Sequence, residues 1–288
     1  MYDICCVGHI TKDKVVTTKN TVYMAGGTAI YFSNAIHQMD VEYVLVTAVA
    51  NDEIATVESL RSKGIGINLL PSSYTVYFEN IYGENQDNRT QRVLQKADAF
   101  SVEQLAGVDA KVFHLGPLLA DDIPVELIQT LAGKANVSLD VQGYLREVRQ
   151  QDVYAIDWHA KQEALPYIHT LKANEHEMES LTGHRDVFEG AKILAGWGVK
   201  EVVITLGSMG SVIYADGIFY QVPAYKPVVV TDATGCGDTY MAGYLYQRLK
   251  GTGIQQAGEF AAAMATLKIE TYGPFTGTEA DVYALLKR

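Results

Sequence analysis

Short apolar runs alternate along most of the chain with segments in which apolar residues recur at helical spacing. The runs are rich in β-branched side chains, as is typical of buried strands. Six of them predict core strands at Ile4–Val7, Tyr43–Val49, Lys111–Leu115, Val137–Val141, His169–Ala173 and Glu201–Leu206. The periodic segments predict helices at Thr28–Met39, Glu53–Lys63, Val125–Leu131, Val187–Trp197, Gly235–Leu249 and Ile254–Thr271. This alternation predicts an α/β fold, a three-layer α/β/α sandwich with a mostly parallel central sheet covered by helices on both faces.

One stretch departs from the alternation. Residues Tyr74–Leu94 contain two β-rich runs around a polar turn at 83–88, which predicts a hairpin. With the Val- and Thr-containing segment Lys14–Tyr23, this hairpin is expected to form a small sheet apart from the main one, at about 14–24 and 74–95. An ordinary edge hairpin is the alternative. Because no repeat, low-complexity tract or linker divides residues 1–288, we expect a single domain that carries this small sheet.

Composition excludes several classes of protein. The chain has 288 residues and 48% hydrophobic content, so it can bury one substantial core. Its formal net charge of −11 argues against holding nucleic acid or an anionic membrane through a basic surface. No stretch approaches the roughly 20 apolar residues that span a bilayer. Three cysteines form neither a disulfide framework nor a Cys-x-x-Cys metal pattern, and we expect a cytoplasmic protein.

The most informative turn is Asp232–Asp238, which reads Asp-Ala-Thr-Gly-Cys-Gly-Asp between a β-rich run at Val228–Thr231 and a predicted helix. A strand that enters a helix through Gly235–Gly237 leaves the first backbone N–H groups of that helix available to bind phosphate. The carboxylate of Asp238 would then be well placed to take a proton from a hydroxyl that attacks the phosphorus. The alternative is a common glycine turn whose aspartate merely favours the helix dipole.

Further candidate residues follow predicted strands, where open α/β sheets bind their ligands. Asn174 and Glu177 lie three apart at a predicted helix start, so one helical turn could present both to water on Mg²⁺. An Asn N-cap completed by Glu in a capping box explains the same pair. The glycines of Thr205–Gly210 would let the backbone approach a nucleotide, or would form a tight hairpin.

Two N-terminal segments suit a polyol. Asp13 follows the first predicted strand, and its carboxylate can accept hydrogen bonds from two neighbouring hydroxyls. Gly26 and Gly27 precede the first predicted helix and permit close approach of the backbone to a ring. A strand-end turn and a helix N-terminus are the ordinary explanations of these two segments.

From Gly8 to Pro274, the motifs resemble in content and order the signatures of the ribokinase-like (PfkB-type) carbohydrate kinases. The likeness rests on Asp232–Asp238, Asn174–Glu177 and Thr205–Gly210. No Gly-x-x-x-x-Gly-Lys-[Ser/Thr] is present, so the chain does not resemble a P-loop kinase. The resemblance implies the ribokinase-like three-layer fold, with the small sheet as a lid over the sugar and as the contact of a homodimer.

Three features depart from the family pattern or refine it. Ala233 and Cys236 differ from the usual Asp-Thr-x-Gly-Ala-Gly-Asp, although Cys236 would contribute only its backbone amide. After Gly27, the sequence Thr-Ala-Ile replaces the ribokinase-like Lys-Gly-Ala-Asn, so ribose is not the default substrate. The Gln-Gly at 142–143 resembles the inositol-kinase branch and points to a cyclic polyol.

The resemblance also assigns roles to single residues. The catalytic set would be Asp238 as general base with the amides of Gly235, Cys236 and Gly237. The nucleotide would contact Asn174, Glu177, Thr205, Gly207, Gly210 and Thr234, with its adenine near 261–267 and 272–274. The substrate would contact Asp13, Gly26, Gly27, Gln142 and Arg146. ATP and Mg²⁺, the latter held by Glu177 through water, are the implied cofactors, and K⁺ is a further candidate.

The predicted function is ATP-dependent transfer of the γ-phosphate to a hydroxyl of a sugar or polyol. A nucleoside kinase of the same fold is the first alternative, and its base would need an aromatic-lined slot. A non-catalytic sugar or nucleotide sensor on the kinase scaffold is the second, although such a sensor would be expected to lack the catalytic aspartate or the anion-hole glycines. A dinucleotide-binding oxidoreductase is disfavoured because no Gly-x-Gly-x-x-Gly follows the first strand.

Overall fold

The computed structural model describes residues 1–82 and 89–287, and the polar turn predicted at 83–88 lies outside the described residues. The strands are β1 Tyr2–Val7, β2 Thr11–Val16, β3 Thr21–Gly26, β4 Tyr43–Val49, β5 Gly66–Pro71, β6 Val76–Tyr82, β7 Arg89–Gln95, β8 Ala110–Leu115, β9 Asn136–Asp140, β10 Arg146–Arg149, β11 Asp152–Ala155, β12 Thr170–Asn174, β13 Glu201–Thr205, β14 Ser211–Ala215 and β15 Ile218–Val222. The helices are α1 Thr28–Ile36, α2 Ile54–Ser62, α3 Val102–Leu105, α4 Val125–Ala132, α5 Lys161–Ala164, α6 Glu175–Thr182, α7 Val187–Gly196, α8 Cys236–Leu249, α9 Ile254–Ile269 and α10 Glu279–Leu286.

The large sheet has the order β15-β14-β13-β12-β9-β8-β1-β4-β5. Its pairs are parallel from β13 to β5, and β14 and β15 add an antiparallel edge. All six predicted core strands lie in this sheet, which confirms the mostly parallel α/β class. The carboxyl ends of the parallel strands consequently meet at one edge of the sheet, where ligands of such folds bind.

Helices cover both faces of the large sheet, and β1 shows why. Successive strand residues point to opposite faces, and Cys5 and Val7 pack into one apolar cluster with α3 to α7, whereas Ile4 and Cys6 pack into another with α1, α2 and α8 to α10. The side chains of all four residues are fully buried. The predicted three-layer α/β/α sandwich is therefore confirmed.

The small sheet has the order β10-β11-β7-β6-β2-β3, with β2 parallel to β6 and the other pairs antiparallel. It combines both stretches that departed from the α/β alternation and adds β10 and β11, which the sequence pattern did not predict. Its outward face carries an ion-paired row in which Lys14 and Arg92 flank Glu79 at 2.8 and 3.3 Å. The side chains of the alternate residues line the site described below.

One predicted strand is wrong. The run Val228–Thr231 is irregular, and the Val228 side chain is 82% exposed. Its backbone hydrogen bonds go to the end of α9 instead of a sheet, because the Thr231 N–H donates to the Ile269 carbonyl at 2.8 Å and the Val228 N–H to the Glu270 carboxylate at 2.7 Å. The β-branched composition predicted a strand, but the run belongs to neither sheet of the described residues.

Candidate active site

A cavity of about 530 Å³ is lined by both sheets and by the first turns of α1 and α8. The large sheet contributes the last residues of three neighbouring strands, which are Asp140, Asn174 and Thr205. Predicted site residues from segments far apart in the chain line this cavity, namely Asp13, Gly27, Gln142, Arg146, Asn174, Glu177, Thr205, Thr234, Gly235, Gly237 and Asp238. The meeting of strand ends and helix N-termini is the arrangement expected of a phosphate site.

Asp238 lies in the first turn of α8 and faces the start of α1, where the Thr28 hydroxyl donates a hydrogen bond to its carboxylate. The pKa of Asp238 is raised to about 7, first by burial and then by repulsion from Asp140, although Lys172 and the Thr28 hydrogen bond act in the opposite direction. A carboxylate with this pKa can accept a proton at neutral pH and release it again.

The turn before α8 depends on Gly235, which has a φ of 75° and whose Cβ position would overlap the ring of Tyr31. Only glycine fits both the left-handed backbone and the close ring. The Cys236 N–H donates to the Ala233 carbonyl at 3.2 Å, and its Sγ lies 3.8 Å from the Ala265 carbonyl. The Cys236 amide thus makes the turn's own hydrogen bond in this structure, and its contact with a phosphate stays a prediction.

The amides that remain at the start of α8 belong to the next two residues. The first helical hydrogen bond from this turn joins the Thr239 N–H to the Gly235 carbonyl at 2.9 Å. Within the described residues, the N–H groups of Gly237 and Asp238 donate to no backbone carbonyl. They carry the positive end of the helix dipole at the wall of the cavity.

Lys172 is a buried cation that the sequence reasoning left without a role. Its Nζ donates to Asp140 Oδ2 at 2.9 Å and lies 3.8 Å from Glu177 Oε2. A Cβ at Gly237 would lie 3.1 Å from the same Nζ, so the ammonium touches the first turn of α8. Burial alone would lower the pKa of Lys172, but the carboxylates of Asp140 and Glu177 raise it above its ordinary value. Lys172 therefore stays charged beside Asp238.

Asn174 and Glu177 form the capping box that was the alternative explanation of their spacing. The Glu177 N–H donates to Asn174 Oδ1 and the Asn174 N–H to Glu177 Oε2, both at 2.8 Å. Burial raises the pKa of Glu177, and Lys172 opposes the shift. Both side chains also line the cavity, so capping fixes their orientation there. No group of three or more His, Cys, Asp or Glu side chains suited to a metal occurs among the described residues.

Asp13 projects from β2 into the cavity. Its Oδ1 accepts a hydrogen bond from the Thr11 hydroxyl at 2.7 Å. Gly26 lies behind it on β3 and outside the cavity wall, where any Cβ would collide with the Asp13 carboxylate. Gly27 has a φ of 83°, and a Cβ there would collide with the His9 carbonyl. Both glycines therefore allow α1 and β3 to approach the cavity, although only Gly27 lines it.

An amide pair on the small sheet was missed by the sequence reasoning. Asn80 and Gln91 face each other across β6 and β7, and Gln91 Nε2 donates to Asn80 Oδ1 at 2.9 Å. Both line the cavity, together with Phe78 and Tyr82 on either side of Asn80. The period-two alternation of a strand predicts that Phe78, Asn80 and Tyr82 share a face. Only the tertiary structure shows that this face is the one toward the cavity.

The glycines predicted to contact the nucleotide lie just beyond the cavity. Gly207 and Gly210, with φ of 56° and 92°, form the turn that joins β13 to the antiparallel β14, which is the hairpin alternative. Thr205 lines the cavity from the same strand, whereas Gly207 and Gly210 are outside its wall. The adenine positions at 261–267 belong to α9, and Tyr272 beyond it is 84% exposed. These nucleotide contacts remain predictions.

Comparison with known proteins shows which family and which solved structures the whole chain resembles. The model of the pfkB family carbohydrate kinases matches residues 1–281. A cytidine kinase of Thermococcus kodakarensis is 28% identical over 289 residues, covering 96% of this chain and 100% of the relative. A pyrophosphate-dependent kinase in the ribokinase family, solved as a sulfate complex, superposes with a TM-score of 0.89 at 29% identity, covering 98% and 99% of the two chains. A second structure, described as such a kinase with a pyrophosphate analog and myo-inositol, gives 0.88 at 28% identity over 98% and 99%.

None of the helices in residues 1–82 and 89–287 combines the length and the apolar character needed to span a bilayer.

Proposed function

The chain belongs to the pfkB family of carbohydrate kinases, and from this premise we propose that it transfers the γ-phosphate of ATP to a hydroxyl of a sugar or polyol, with Asp238 as the general base. The observation that carries the proposal is the position of Asp238. Its carboxylate, with a pKa near 7, stands beside the amides at the start of α8 and in one cavity with the polar face of the small sheet. A base and an anion site at one point support phosphoryl transfer.

The proposed step begins with the acceptor hydroxyl against Asp238. Its oxygen attacks the γ-phosphorus, its proton passes to the Asp238 carboxylate, and the bond to the β-phosphate oxygen breaks to release ADP. The amides of Gly237 and Asp238 and the ammonium of Lys172 would stabilise negative charge on the transferred group. Thr28, which hydrogen-bonds Asp238, would orient its carboxylate.

The residues present fit a magnesium ion that is held mainly by the donor. Mg²⁺ keeps several waters and is usually bound by one or two carboxylates together with substrate phosphates. Glu177 lines the cavity and is fixed by its capping box, so it would bind a water of the ion. When bound, the ion would neutralise charge on the phosphates of the donor.

The acceptor is proposed to bind on the face of the small sheet, which would act as a lid that excludes water. Asp13, Asn80 and Gln91 provide a carboxylate and two amides there, which suit a neutral compound with several hydroxyls. Gln142 and Arg146, the latter at the start of β10, also line the cavity and are proposed as further contacts. A cyclic polyol such as an inositol is the acceptor that this polar lining favours.

A nucleoside is the second candidate acceptor. Phe78 and Tyr82 line the cavity on either side of Asn80, and Tyr31 lines it from α1, so aromatic surface is available for a base. The full-length similarity to a cytidine kinase favours the same acceptor class. The amide pair could then hydrogen-bond the edge of a pyrimidine in place of hydroxyls.

Pyrophosphate is the second candidate donor. Two structures superposing with TM-scores of 0.89 and 0.88 are described as pyrophosphate-dependent kinases. The cavity is lined by the start of α8 but by no residue of 261–274 within the described chain. The enclosed part of the site would therefore hold phosphates, and a nucleoside of the donor would lie outside it. The general base and the anion site serve either donor.

The test is a donor-by-acceptor matrix. Phosphorylated product is followed by ³¹P NMR with MgATP or magnesium pyrophosphate against inositols, ribose, fructose, 2-keto-3-deoxygluconate, cytidine and other nucleosides. Asp238→Asn is the inactive variant, and Asp186→Asn is its control, because Asp186 caps α7 and Asn caps equally well. We expect one donor and one acceptor class to react with the wild type and the control but not with Asp238→Asn.

Two outcomes contradict the proposal. Turnover near the wild-type rate in Asp238→Asn would remove this residue from its role as base. If no pair of donor and acceptor reacts while MgATP or pyrophosphate still binds in calorimetry, the protein is a sensor on the kinase scaffold or uses an acceptor outside the panel.

A further inference from the structure

Lys268 is a fully buried lysine next to the phosphate-binding turn. It lies in the last turn of α9, and its side chain is 0% exposed. Its Nζ donates to the backbone carbonyl of Asp232 at 2.7 Å and lies 3.3 Å from Asp232 Oδ2. The ring of Tyr31, which packs against Gly235, lies 5.8 Å from the same ammonium. A buried charge is retained only with such partners, because desolvation is otherwise costly.

Asp232 is the residue from which the turn starts. Its second carboxylate oxygen, Oδ1, accepts the Thr234 N–H at 2.9 Å, and its own N–H donates to the Ile269 carbonyl at 3.1 Å. The end of α9 thereby holds the segment that leads through Gly235 into α8. Among the residues that the structure describes, Lys268 is the only cation that contacts Asp232.

The usual role of a lysine in the last turn of a helix does not account for this geometry. Such lysines hydrogen-bond the final carbonyls or favour the negative end of the dipole. The carbonyl of Lys268 is taken by the Thr271 N–H at 3.1 Å, and the ammonium points to another segment. A backbone carbonyl oxygen and a carboxylate oxygen on one residue are instead what a bound cation such as K⁺ would use.

We propose that the Lys268 ammonium is a built-in cation that holds the phosphate-binding turn in its active conformation, so that the protein needs no K⁺ or other monovalent ion. The Lys268 ammonium already occupies the backbone carbonyl and Oδ2 of Asp232. These oxygens therefore leave no place for K⁺, which the family resemblance gave as a candidate cofactor. This inference rests on the proposed kinase activity. Lys268 is a positioning residue, because it acts on the transferred phosphate only through the turn.

The wild type provides the first test. Phosphoryl transfer is measured in choline chloride, NaCl, KCl and NH₄Cl at equal ionic strength, with the donor and acceptor found in the matrix. We expect rates within about twofold of one another. Activation of the wild type by more than about tenfold in KCl would overturn the inference. Because this experiment uses only the wild-type protein, its outcome does not depend on whether a variant folds.

Lys268→Met is the second test, because methionine keeps most of the buried volume without the charge. We expect kcat in choline chloride to fall about 10²-fold, the size of a lost electrostatic contact to the reacting group. We also expect KCl or NH₄Cl to restore at least tenfold, since a small ion can then take the oxygens of Asp232. A purely structural role for Lys268 would not create this dependence on the ion. A folded variant that no ion rescues, or one as active as the wild type in choline chloride, would refute the built-in cation.

A matched control and a binding readout separate this inference from the proposed function. Lys134 likewise donates to backbone carbonyls, of Leu105, Ala106 and Val108, but far from the turn in sequence and outside the cavity wall. Lys134→Met should gain no dependence on KCl. If no acceptor reacts, the same salts are compared by thermal shift with pyrophosphate as the probe. If KCl increases the pyrophosphate-induced rise in melting temperature of Lys268→Met, and of no other variant, the cation role of Lys268 is supported even where the kinase proposal fails. If KCl has no such effect on Lys268→Met, the cation role is overturned.

Discussion

The two sides of the cavity differ in charge and in the way the chain builds them. The proposed phosphate side consists of Asp140, Lys172, Glu177 and Asp238 with the amides at the start of α8. It is a cluster of buried and half-buried ionisable groups at strand ends and a helix N-terminus. The proposed acceptor side is the inner face of the small sheet, formed by Asp13, Phe78, Asn80, Tyr82 and Gln91, and Asp13 is the one carboxylate among these five side chains.

This difference in charge suits the phosphate side to catalysis and the acceptor side to selection of the acceptor. Three carboxylates around one ammonium leave an excess of negative charge, which burial converts into the raised pKa of Asp238. The acceptor side instead offers neutral amides, a hydroxyl-binding carboxylate and rings. We therefore expect changes on the phosphate side to act mainly on kcat and its pH dependence, and changes on the acceptor side to act mainly on KM and on the choice of acceptor.

The largest effect is expected at the proposed base. Asp238→Asn keeps the shape of the side chain but cannot take a proton, so kcat should fall by about 10²–10⁴-fold. Binding of the donor should be retained, which calorimetry can check. An equal loss of donor affinity and turnover would show that Asp238 acts in binding. The phosphate side would then not differ from the acceptor side by acting mainly on kcat.

The second prediction concerns the ammonium that opposes the raised pKa. The base must be unprotonated, so kcat/KM of the wild type should fall as pH drops through about 7. Lys172→Met removes the charge that lowers the pKa of Asp238, so this fall of kcat/KM on the acid side of the pH profile, its acid limb, should move to higher pH by about one unit or more. The rate at pH 8 should fall roughly 10–100-fold. Lys161→Met, which removes a lysine bound to Asp157, is the control and should leave the limb in place. A limb that does not move in Lys172→Met would mean that another group controls it.

Asp13→Ala should act on the acceptor. Loss of a carboxylate that binds neighbouring hydroxyls should raise the KM of the acceptor about 10–100-fold, since hydrogen bonds to charged groups contribute roughly 1.5–3 kcal/mol. The kcat should change much less. Steady-state kinetics with Asp152→Ala, on another strand of the small sheet, provide the comparison. An unchanged KM would place the acceptor elsewhere in the cavity.

The smallest effect is expected from the amide pair. Asn80→Leu removes an uncharged hydrogen-bonding group, which should raise the KM of the preferred acceptor about 3–10-fold and shift the ranking of acceptors or the hydroxyl that is phosphorylated. Product NMR identifies that hydroxyl. Thr90→Val is the matched control, because Thr90 precedes Gln91 on β7 and its side chain alternates to the outward face. An unaltered ranking would show that the pair only supports the sheet.

The parts of the phosphate side that lie close together in the chain could be predicted from the sequence. Asp238 and its glycines lie within four residues, and Asn174 and Glu177 within one helical turn, so short segments carry both the residue types and their geometry. Local reasoning reached its limit at Lys172, whose role depends on Asp140 from a neighbouring strand. The sequence likewise does not show that the Cys236 N–H closes a turn on the Ala233 carbonyl.

The acceptor side required the tertiary structure. The hairpin of β6 and β7 was predictable from its composition, but Asn80 and Gln91 become neighbours only through the register of two strands. A strand has two faces, and sequence alternation does not say which one meets the ends of β9 and β12. The same reason explains Lys268, whose partner Asp232 is 36 residues away along the chain.

The sequence by itself thus determined the six core strands, the α/β class and the motif at Asp232–Asp238 that indicates a phosphate-binding turn, because hydrophobic period and short motifs encode local backbone geometry. The tertiary structure decided which side chains from distant segments share the cavity, how far burial raises the pKa of Asp238, and which lysines lie beside the turn that leads into α8. Those properties depend on distances and desolvation between segments, which no local pattern specifies.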